Sequence, residues 1–125
     1  MKIVFFDIDG TLINAQEGMM QPRHQTKQVL KDFQKQGNKI VIASARGAIP
    51  EGLKDIPFDG YVLCDGHYII YNNEILVDEV LTTPEIQEQM DVSQKYQGRP
   101  MFYGHRGEWC DSLDDDLVGK HRLSF

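Results

Sequence analysis

Three short segments of the chain are almost continuously apolar: residues 2–7 (KIVFFD), 38–44 (NKIVIAS) and 60–66 (GYVLCDG). Strands that are apolar on both faces are typical of parallel sheets covered by helices. Between the first two segments, Val29, Leu30 and Phe33 are spaced as one face of a helix. Pro22 suits the first turn of that helix, and Gly37 suits its end. The order strand, helix, strand predicts a right-handed βαβ unit.

The second half of the chain has shorter apolar runs separated by turn residues. Residues 67–81 predict two strands joined at Asn72-Asn73, which is a common hairpin turn. Residues 83–96 begin with Thr-Pro-Glu and predict a helix. Residues 99–111 predict a second hairpin that turns at Arg106-Gly107. We therefore expect antiparallel α+β structure in this half.

Composition narrows the class of protein. The chain has 125 residues, of which 41% are hydrophobic and 26% charged, as in a globular, water-soluble domain. Its net charge of −6 argues against nucleic-acid binding, and a small anionic substrate would need a cation to offset this charge. Cys64 and Cys110 have no metal-ligand spacing, and no apolar run reaches membrane-spanning length. We therefore expect a cytoplasmic protein without a membrane partner.

Two carboxylates, Asp7 and Asp9, stand where the first strand ends, and Gly10-Thr11 follow them. The carboxyl end of a parallel strand lies in the crevice where open α/β sheets bind ligands. Paired carboxylates suit a hard cation such as Mg²⁺, which would also attract a phosphate group. One carboxylate can then attack phosphorus while the other protonates the leaving oxygen. The alternative is a solvated strand end without chemistry.

The second strand ends in Ser44, followed by Ala45 and Arg46. Because neighbouring parallel strands end at the same edge of a sheet, we expect a hydroxyl and backbone N–H groups to face Asp7. Such groups hold phosphoryl oxygens. Taken alone, Ser44 is equally well explained as the N-cap of a helix in the following segment.

The sequence DIDGTL, followed by a helix and by an apolar strand ending in SAR, closely resembles the phosphohydrolases of the haloacid dehalogenase superfamily. The continuation YVLCDGHYIIYNNEIL resembles the Cof-type branch, whose cap domain is inserted after the third strand. The resemblance implies an α/β fold with a partial, Rossmann-type parallel sheet and an incomplete α+β cap. Residues 1–82 are then the N-terminal half of the core, and residues 83–125 are the start of the cap.

The same resemblance implies a role for each candidate residue. Asp7 is the nucleophile, which forms an aspartyl-phosphate and binds Mg²⁺. Asp9 is the general acid and base, and it binds Mg²⁺ through its backbone carbonyl. Ile8, Ser44 and Ala45 hold the phosphate. The implied activity is Mg²⁺-dependent hydrolysis of a small phosphorylated metabolite. A phosphomutase and a non-catalytic phosphate-binding or assembly module are the alternatives.

The chain departs from the family pattern at several places. The usual Thr-Gly-Arg is replaced by Ser44-Ala45-Arg46, in which Ala45 adds a Cβ. The usual Asn-Gly is replaced by Asp65-Gly66, where we expect the acid to shape the turn and keep substrate contact as the alternative. The family also completes its site with a lysine and an acidic motif after the cap. The candidates for these in this chain are Lys95 or Lys120, with Asp111 and Asp115.

We interpret the acidic cluster near the end of the chain as the solvated start of a helix in residues 112–125. Asp111 lies on a predicted hairpin, and neither a buried strand nor a glycine immediately precedes it. The chain is therefore expected to be the N-terminal part of a larger enzyme and to be inactive by itself. One edge of the first strand would then be unpaired, and we expect self-association through this edge.

Overall fold

Five strands form one sheet in the order β1-β2-β3-β4-β5 in a computed structural model that describes residues 1–110. Their bounds are β1 (Ile3–Phe6), β2 (Lys39–Ala43), β3 (Gly60–Leu63), β4 (Tyr68–Tyr71) and β5 (Glu74–Asp78). The strands β1, β2 and β3 are parallel, and β4 and β5 each run antiparallel to the preceding strand. The predicted α/β fold class is confirmed.

Helix α1 (His24–Lys35) connects β1 with β2 and packs against β2. Leu30 from this helix joins Ile40 and Ile42 of β2 in one buried cluster. The backbone is still extended at Arg23, with ψ of 152°, so Pro22 precedes the helix and its predicted place in the first turn is wrong by two residues. Gly37 follows the helix with φ of +82°, a conformation that glycine adopts without a steric cost.

The predicted hairpin around Asn72-Asn73 is confirmed. Asn72 and Asn73 connect β4 with β5, and their φ angles of 49° and 65° are the left-handed values that a tight hairpin turn requires. The hairpin extends the parallel sheet through antiparallel pairing of β4 with β3. The third strand is three residues shorter than predicted, because Cys64 and Asp65 adopt φ of 50° and 53° and turn the chain away from the sheet.

The second part of the chain contains helix α2 (Thr83–Lys95) and a separate hairpin of β6 (Met101–Gly104) and β7 (Gly107–Cys110). Thr82 and Glu85 form a reciprocal capping box that starts α2. The turn of the hairpin lies at positions 105–106, one residue earlier than predicted. Three candidate residues, Asp111, Asp115 and Lys120, and the helix start predicted in residues 112–125 lie outside the described residues. Neither helix of the described part has the length and apolarity to cross a membrane.

Within residues 1–110, β1 pairs with β2 alone, so its other edge is open. Ile3 and Phe5 are 49% and 58% exposed on one face of the strand. On the other face, Val4 and Phe6 line a groove of about 390 Å³ against α1. An apolar strand with an unpaired edge is a template for pairing with another chain.

Asp59 connects β2, α1 and the loop before β3. Its carboxylate accepts hydrogen bonds from Lys39 Nζ at 2.7 Å, from the Ile40 backbone N–H at 3.0 Å and from Gln34 Nε2 at 2.9 Å. Burial of this side chain, which is 13% exposed, raises the pKa of Asp59, but the three hydrogen bonds outweigh that effect and lower it. The ionised carboxylate therefore holds the βαβ unit together.

Candidate active site

The chain turns sharply immediately after β1, at Ile8. This side chain is fully buried, and its carbonyl oxygen accepts the N–H groups of Thr11, Leu12 and Ile13 at 3.3, 3.0 and 3.0 Å. Leu12 and Ile13 are themselves buried, which anchors the turn in the core. Because these N–H groups donate to Ile8, the neighbouring carbonyl of Asp9 accepts none of them and stays available as a ligand.

The two predicted acids flank Ile8, and both side chains are exposed. Asp7 is the first residue beyond the β1–β2 ladder, which ends where Phe6 pairs with Ile42. Asp7 receives no hydrogen bond from the described residues, so its carboxylate is open to a ligand. Gly10 lets the chain turn after the acids, since its φ of +74° lies in the left-handed region.

The turn after β2 lies beside the acids, as predicted from the parallel pairing. No helix starts at Ser44, so its alternative role as an N-cap is wrong. The Ser44 N–H donates to the Val62 carbonyl at 2.9 Å, and the Arg46 N–H donates to Ser44 Oγ at 3.2 Å. Two groups of the turn can therefore still donate to an anion: the hydroxyl proton of Ser44 and the N–H of Ala45, which has no acceptor in residues 1–110.

Arg46 forms a two-pronged ion pair with Asp9. Its Nε donates to Asp9 Oδ2 at 2.7 Å, and its Nη2 donates to Asp9 Oδ1 at 2.8 Å. The arginine side chain is 10% exposed and the aspartate side chain 45% exposed. The hydrogen bond from Arg46 lowers the pKa of Asp9, against a smaller opposite effect of burial. Asp9 in turn raises the pKa of Arg46, and the charge of Asp7 adds to this increase. Asp9 is therefore ionised at neutral pH in this arrangement.

The sequence pattern predicted a cation, Mg²⁺, at the two acids, and Arg46 was not among the predicted site residues. The sequence did indicate that Arg46 could contact the acids, because Arg46 lies two residues beyond Ser44, at the sheet edge where β1 also ends. A basic residue at that position of a parallel neighbour is within reach of acids at the end of β1.

The residues present fit part of a Mg²⁺ site. No three His, Cys, Asp or Glu side chains in residues 1–110 are grouped closely enough to hold a metal ion. Both carboxylate oxygens of Asp9 are taken by Arg46, so the available oxygen ligands are the Asp7 carboxylate and the Asp9 carbonyl. Mg²⁺ is often held by one or two carboxylates, water and a substrate phosphate. These two groups suit that kind of site.

Within the described residues, no candidate lysine contacts Asp7 or Asp9. Lys95 lies in the last turn of α2, where its Nζ is 5.3 Å from the centroid of the Tyr96 ring. Lys120, Asp111 and Asp115 lie outside the described part of the chain.

Comparison with known proteins identifies the fold family. A model for haloacid dehalogenase-like hydrolases matches residues 4–122, which is nearly the whole chain. The chain belongs to the haloacid dehalogenase-like hydrolase family. The predicted membership of this superfamily is confirmed, and Asp7, Asp9 and the Ser44–Arg46 turn lie inside the matched region.

Individual relatives support the same assignment. The chain is 25% identical over 77 residues to a Bacillus subtilis (strain 168) protein named "Putative phosphatase YkrA", and the match covers 60% of this chain and 29% of that protein. Its fold is similar to BT1666 of Bacteroides thetaiotaomicron, a phosphatase of this superfamily, with a TM-score of 0.82, 19% identity, and coverage of 98% of this chain and 47% of that one. The subclass IIB sugar phosphatase BT4131 is 28% identical, with a TM-score of 0.77, and its match covers 96% of this chain and 47% of that one. The chain thus spans less than half the length of these relatives.

Proposed function

We propose that this chain carries the phosphoryl-transfer residues of a Mg²⁺-dependent hydrolase that acts on small phosphorylated metabolites. The main support is that two parallel strands end side by side, with Asp7 and Asp9 after β1 and the Ser44–Arg46 turn after β2. Carboxylates, a hydroxyl, a backbone N–H and a guanidinium at one sheet edge suit transfer of a phosphoryl group. In this proposal residues 1–82 belong to the core, residues 83–125 begin the cap, and the protein is cytoplasmic.

Asp7 acts as the nucleophile in this proposal. Its carboxylate oxygen attacks phosphorus, the bond to the leaving oxygen breaks, and an aspartyl-phosphate forms. Water then attacks this phosphorus, phosphate leaves, and the carboxylate is restored. Asp9 gives a proton to the leaving oxygen in the first step and takes one from water in the second. Mg²⁺ held by the Asp7 carboxylate and the Asp9 carbonyl would neutralise charge on the phosphoryl oxygens.

The ion pair with Arg46 opposes the role of Asp9 as an acid. The ion pair keeps Asp9 ionised, and an ionised carboxylate has no proton to give. A bound phosphoryl group is a second anion that competes for the guanidinium and places negative charge near Asp9. Both effects raise the pKa of Asp9 and so favour uptake of a proton from solvent, which Asp9 then gives to the leaving oxygen.

The proposal is tested by anion binding, which does not require the isolated chain to turn over. In the presence of Mg²⁺, vanadate or inorganic phosphate should shift the amide NMR signals of residues 7–11 and 44–46, and Asp7→Asn should abolish these shifts. Asp32→Asn is the matched control, because Asp32 is an exposed acid on α1 that pairs with Lys35. Equal phosphate affinity in Asp7→Asn and the unaltered chain would remove the nucleophile from the proposal.

We further propose that the isolated 125-residue chain has negligible phosphatase activity and self-associates through the open edge of β1. Light scattering after size-exclusion chromatography should show a dimer or larger species. Phe5→Lys should produce a monomer, because it places a charge on this edge strand. Ile75→Lys is the control, since Ile75 is also 58% exposed but lies on β5, at the opposite edge of the sheet. A monomeric unaltered chain with brisk Mg²⁺-dependent turnover contradicts both statements.

A further inference from the structure

A cavity of about 740 Å³ lies between the end of β3 and the β6–β7 hairpin. It adjoins the candidate active site, because the N–H of Cys64 in its wall donates to the Arg46 carbonyl at 3.0 Å. Much of its lining is apolar or aromatic, and six of these residues are Val80, Leu81, Ile86, Met101, Phe102 and Trp109. We call this space the hairpin cavity.

Two contacts hold the β6–β7 hairpin beside this cavity. His105 at its turn stacks on Tyr68 of β4, with ring centroids 3.8 Å apart and an angle of 10° between the rings. Gly47, in the loop that carries Arg46, lies so close to the Gly104 backbone that a Cβ at position 47 would overlap the Gly104 carbonyl. The hairpin therefore rests on the backbone of the predicted phosphate-binding loop, and the cavity continues the candidate site.

Most of the ionisable side chains of the hairpin cavity have a partner. Arg106 Nη2 lies 3.7 Å from an Asp78 oxygen, and His67 Nδ1 lies 3.5 Å from a Glu79 oxygen. Asp65 is exposed, lines the cavity and has no cationic partner among the described residues. The wall near β3 is thus negatively charged.

Asp65 also occupies an unusual backbone conformation. Its φ of 53° and ψ of 31° place it in the left-handed region, directly after Cys64 with φ of 50°. Asp and Asn tolerate this region better than most residues, and strained positions cluster at functional sites. The turn predicted for Asp65 is present, and it also places this acid in the wall of the cavity.

We propose that the hairpin cavity binds the organic group of the substrate and selects a planar, apolar group that is neutral or cationic. The apolar walls and the indole of Trp109 favour a flat ring, and an aromatic face attracts a cation. The charge of Asp65 favours a cation further and disfavours a second negative charge on the ligand. Only the statement that the bound group belongs to a phosphomonoester rests on the proposed function.

The test uses ligands without phosphate, so that it is independent of Asp7 and Mg²⁺. Trp109 is the only tryptophan of the chain, and its fluorescence reports on the cavity that it lines. The full 125-residue chain is titrated with benzyltrimethylammonium, benzyl alcohol and benzoate, which carry a positive, a neutral and a negative group on the same ring. We expect saturable quenching, with the cation bound roughly tenfold more tightly than benzoate, from the combined effects of the ring and of Asp65.

Asp65→Asn should reduce this preference to about threefold and keep the fold, since Asn also tolerates the left-handed region. Glu79→Gln, a second charge removal in the cavity wall, should reduce it in the same direction. Glu74→Gln on exposed β5 should leave it unchanged. Absence of saturable quenching by any ligand, equal affinity for benzoate and the cation, or an unchanged preference in both cavity variants would overturn the inference. Ring binding without phosphate binding at Asp7 would support the cavity and contradict the proposed function.

Discussion

The ion pair of Arg46 with Asp9 should contribute measurably to folding stability. It consists of two charge-assisted hydrogen bonds of 2.7 and 2.8 Å, and such bonds contribute about 1.5–3 kcal/mol each when well shielded. Water competes here, because the Asp9 side chain is 45% exposed. We therefore expect a coupling of about 1–2 kcal/mol for the whole pair, below the sum of two shielded bonds.

A double-mutant cycle measures this coupling. The unaltered chain, Arg46→Ala, Asp9→Ala and the double variant are unfolded in urea at pH 7, in dilute protein so that association does not add to stability. Arg46→Ala by itself also loses packing of a side chain that is 10% exposed, and the cycle cancels that contribution. The matched control is the cycle for Lys54 with Glu51, a pair at 2.6 Å with both side chains exposed, which should give less than about 0.5 kcal/mol.

The coupling should also depend on pH in a defined direction. The folded-state pKa of Asp9 is lowered, so the carboxylate of the folded protein stays ionised at pH values where the unfolded chain is already protonated. The contribution is therefore complete above the ordinary aspartate pKa and is lost as the pH falls through the lowered value. A coupling equal to that of Lys54 with Glu51, or one that does not decrease in acid, would refute the assigned geometry.

Three further predictions concern single positions. Asp59→Ala should lower the free energy of unfolding in urea by about 2–4 kcal/mol, because it leaves three donors without their acceptor. The control Asp55→Ala, at an exposed ion pair, should lower it by less than about 1 kcal/mol. Equal losses would contradict this role of Asp59. Ser44→Ala should weaken vanadate binding by about 1.5–3 kcal/mol and lower the free energy of unfolding by only about 1 kcal/mol, because it also removes the acceptor of the Arg46 N–H. A loss of stability with unchanged anion affinity would assign the hydroxyl to the fold alone. Gly10→Ala should destabilise the chain by about 1–2 kcal/mol, because an alanine at this position would have to adopt the φ of +74°. A steric clash does not contribute, since the added Cβ would meet open space. An unchanged urea midpoint would contradict this prediction.

Local sequence patterns determined most of the secondary structure. The apolar runs at residues 2–7 and 38–44 indicated buried parallel strands because such strands need cover on both faces, and these segments contain β1 and β2. Asn72-Asn73 indicated the hairpin because few residues accept two successive left-handed conformations. The motif DIDGTL was specific enough to indicate the family, and a match over residues 4–122 confirms it.

The predicted ends of strands and helices were less accurate, because an element ends where its hydrogen-bonding and packing partners end. The third strand ends at Leu63, three residues before the predicted end, since Cys64 and Asp65 turn toward the hairpin cavity. The β6–β7 turn was displaced by one residue because two-residue hairpins are fixed by cross-strand register, in this case Gly104 opposite Gly107.

The contacts between distant segments were decided only by the tertiary structure. Arg46 reaches Asp9 across 37 positions of sequence because β1 and β2 are direct neighbours, and this contact lowers the pKa of the proposed general acid. The contact between the β6–β7 hairpin and Gly47 likewise depends on the path of the chain between β5 and β6. A sequence pattern specifies which face of an element is apolar, whereas the distance between two side chains depends on how all the elements pack together.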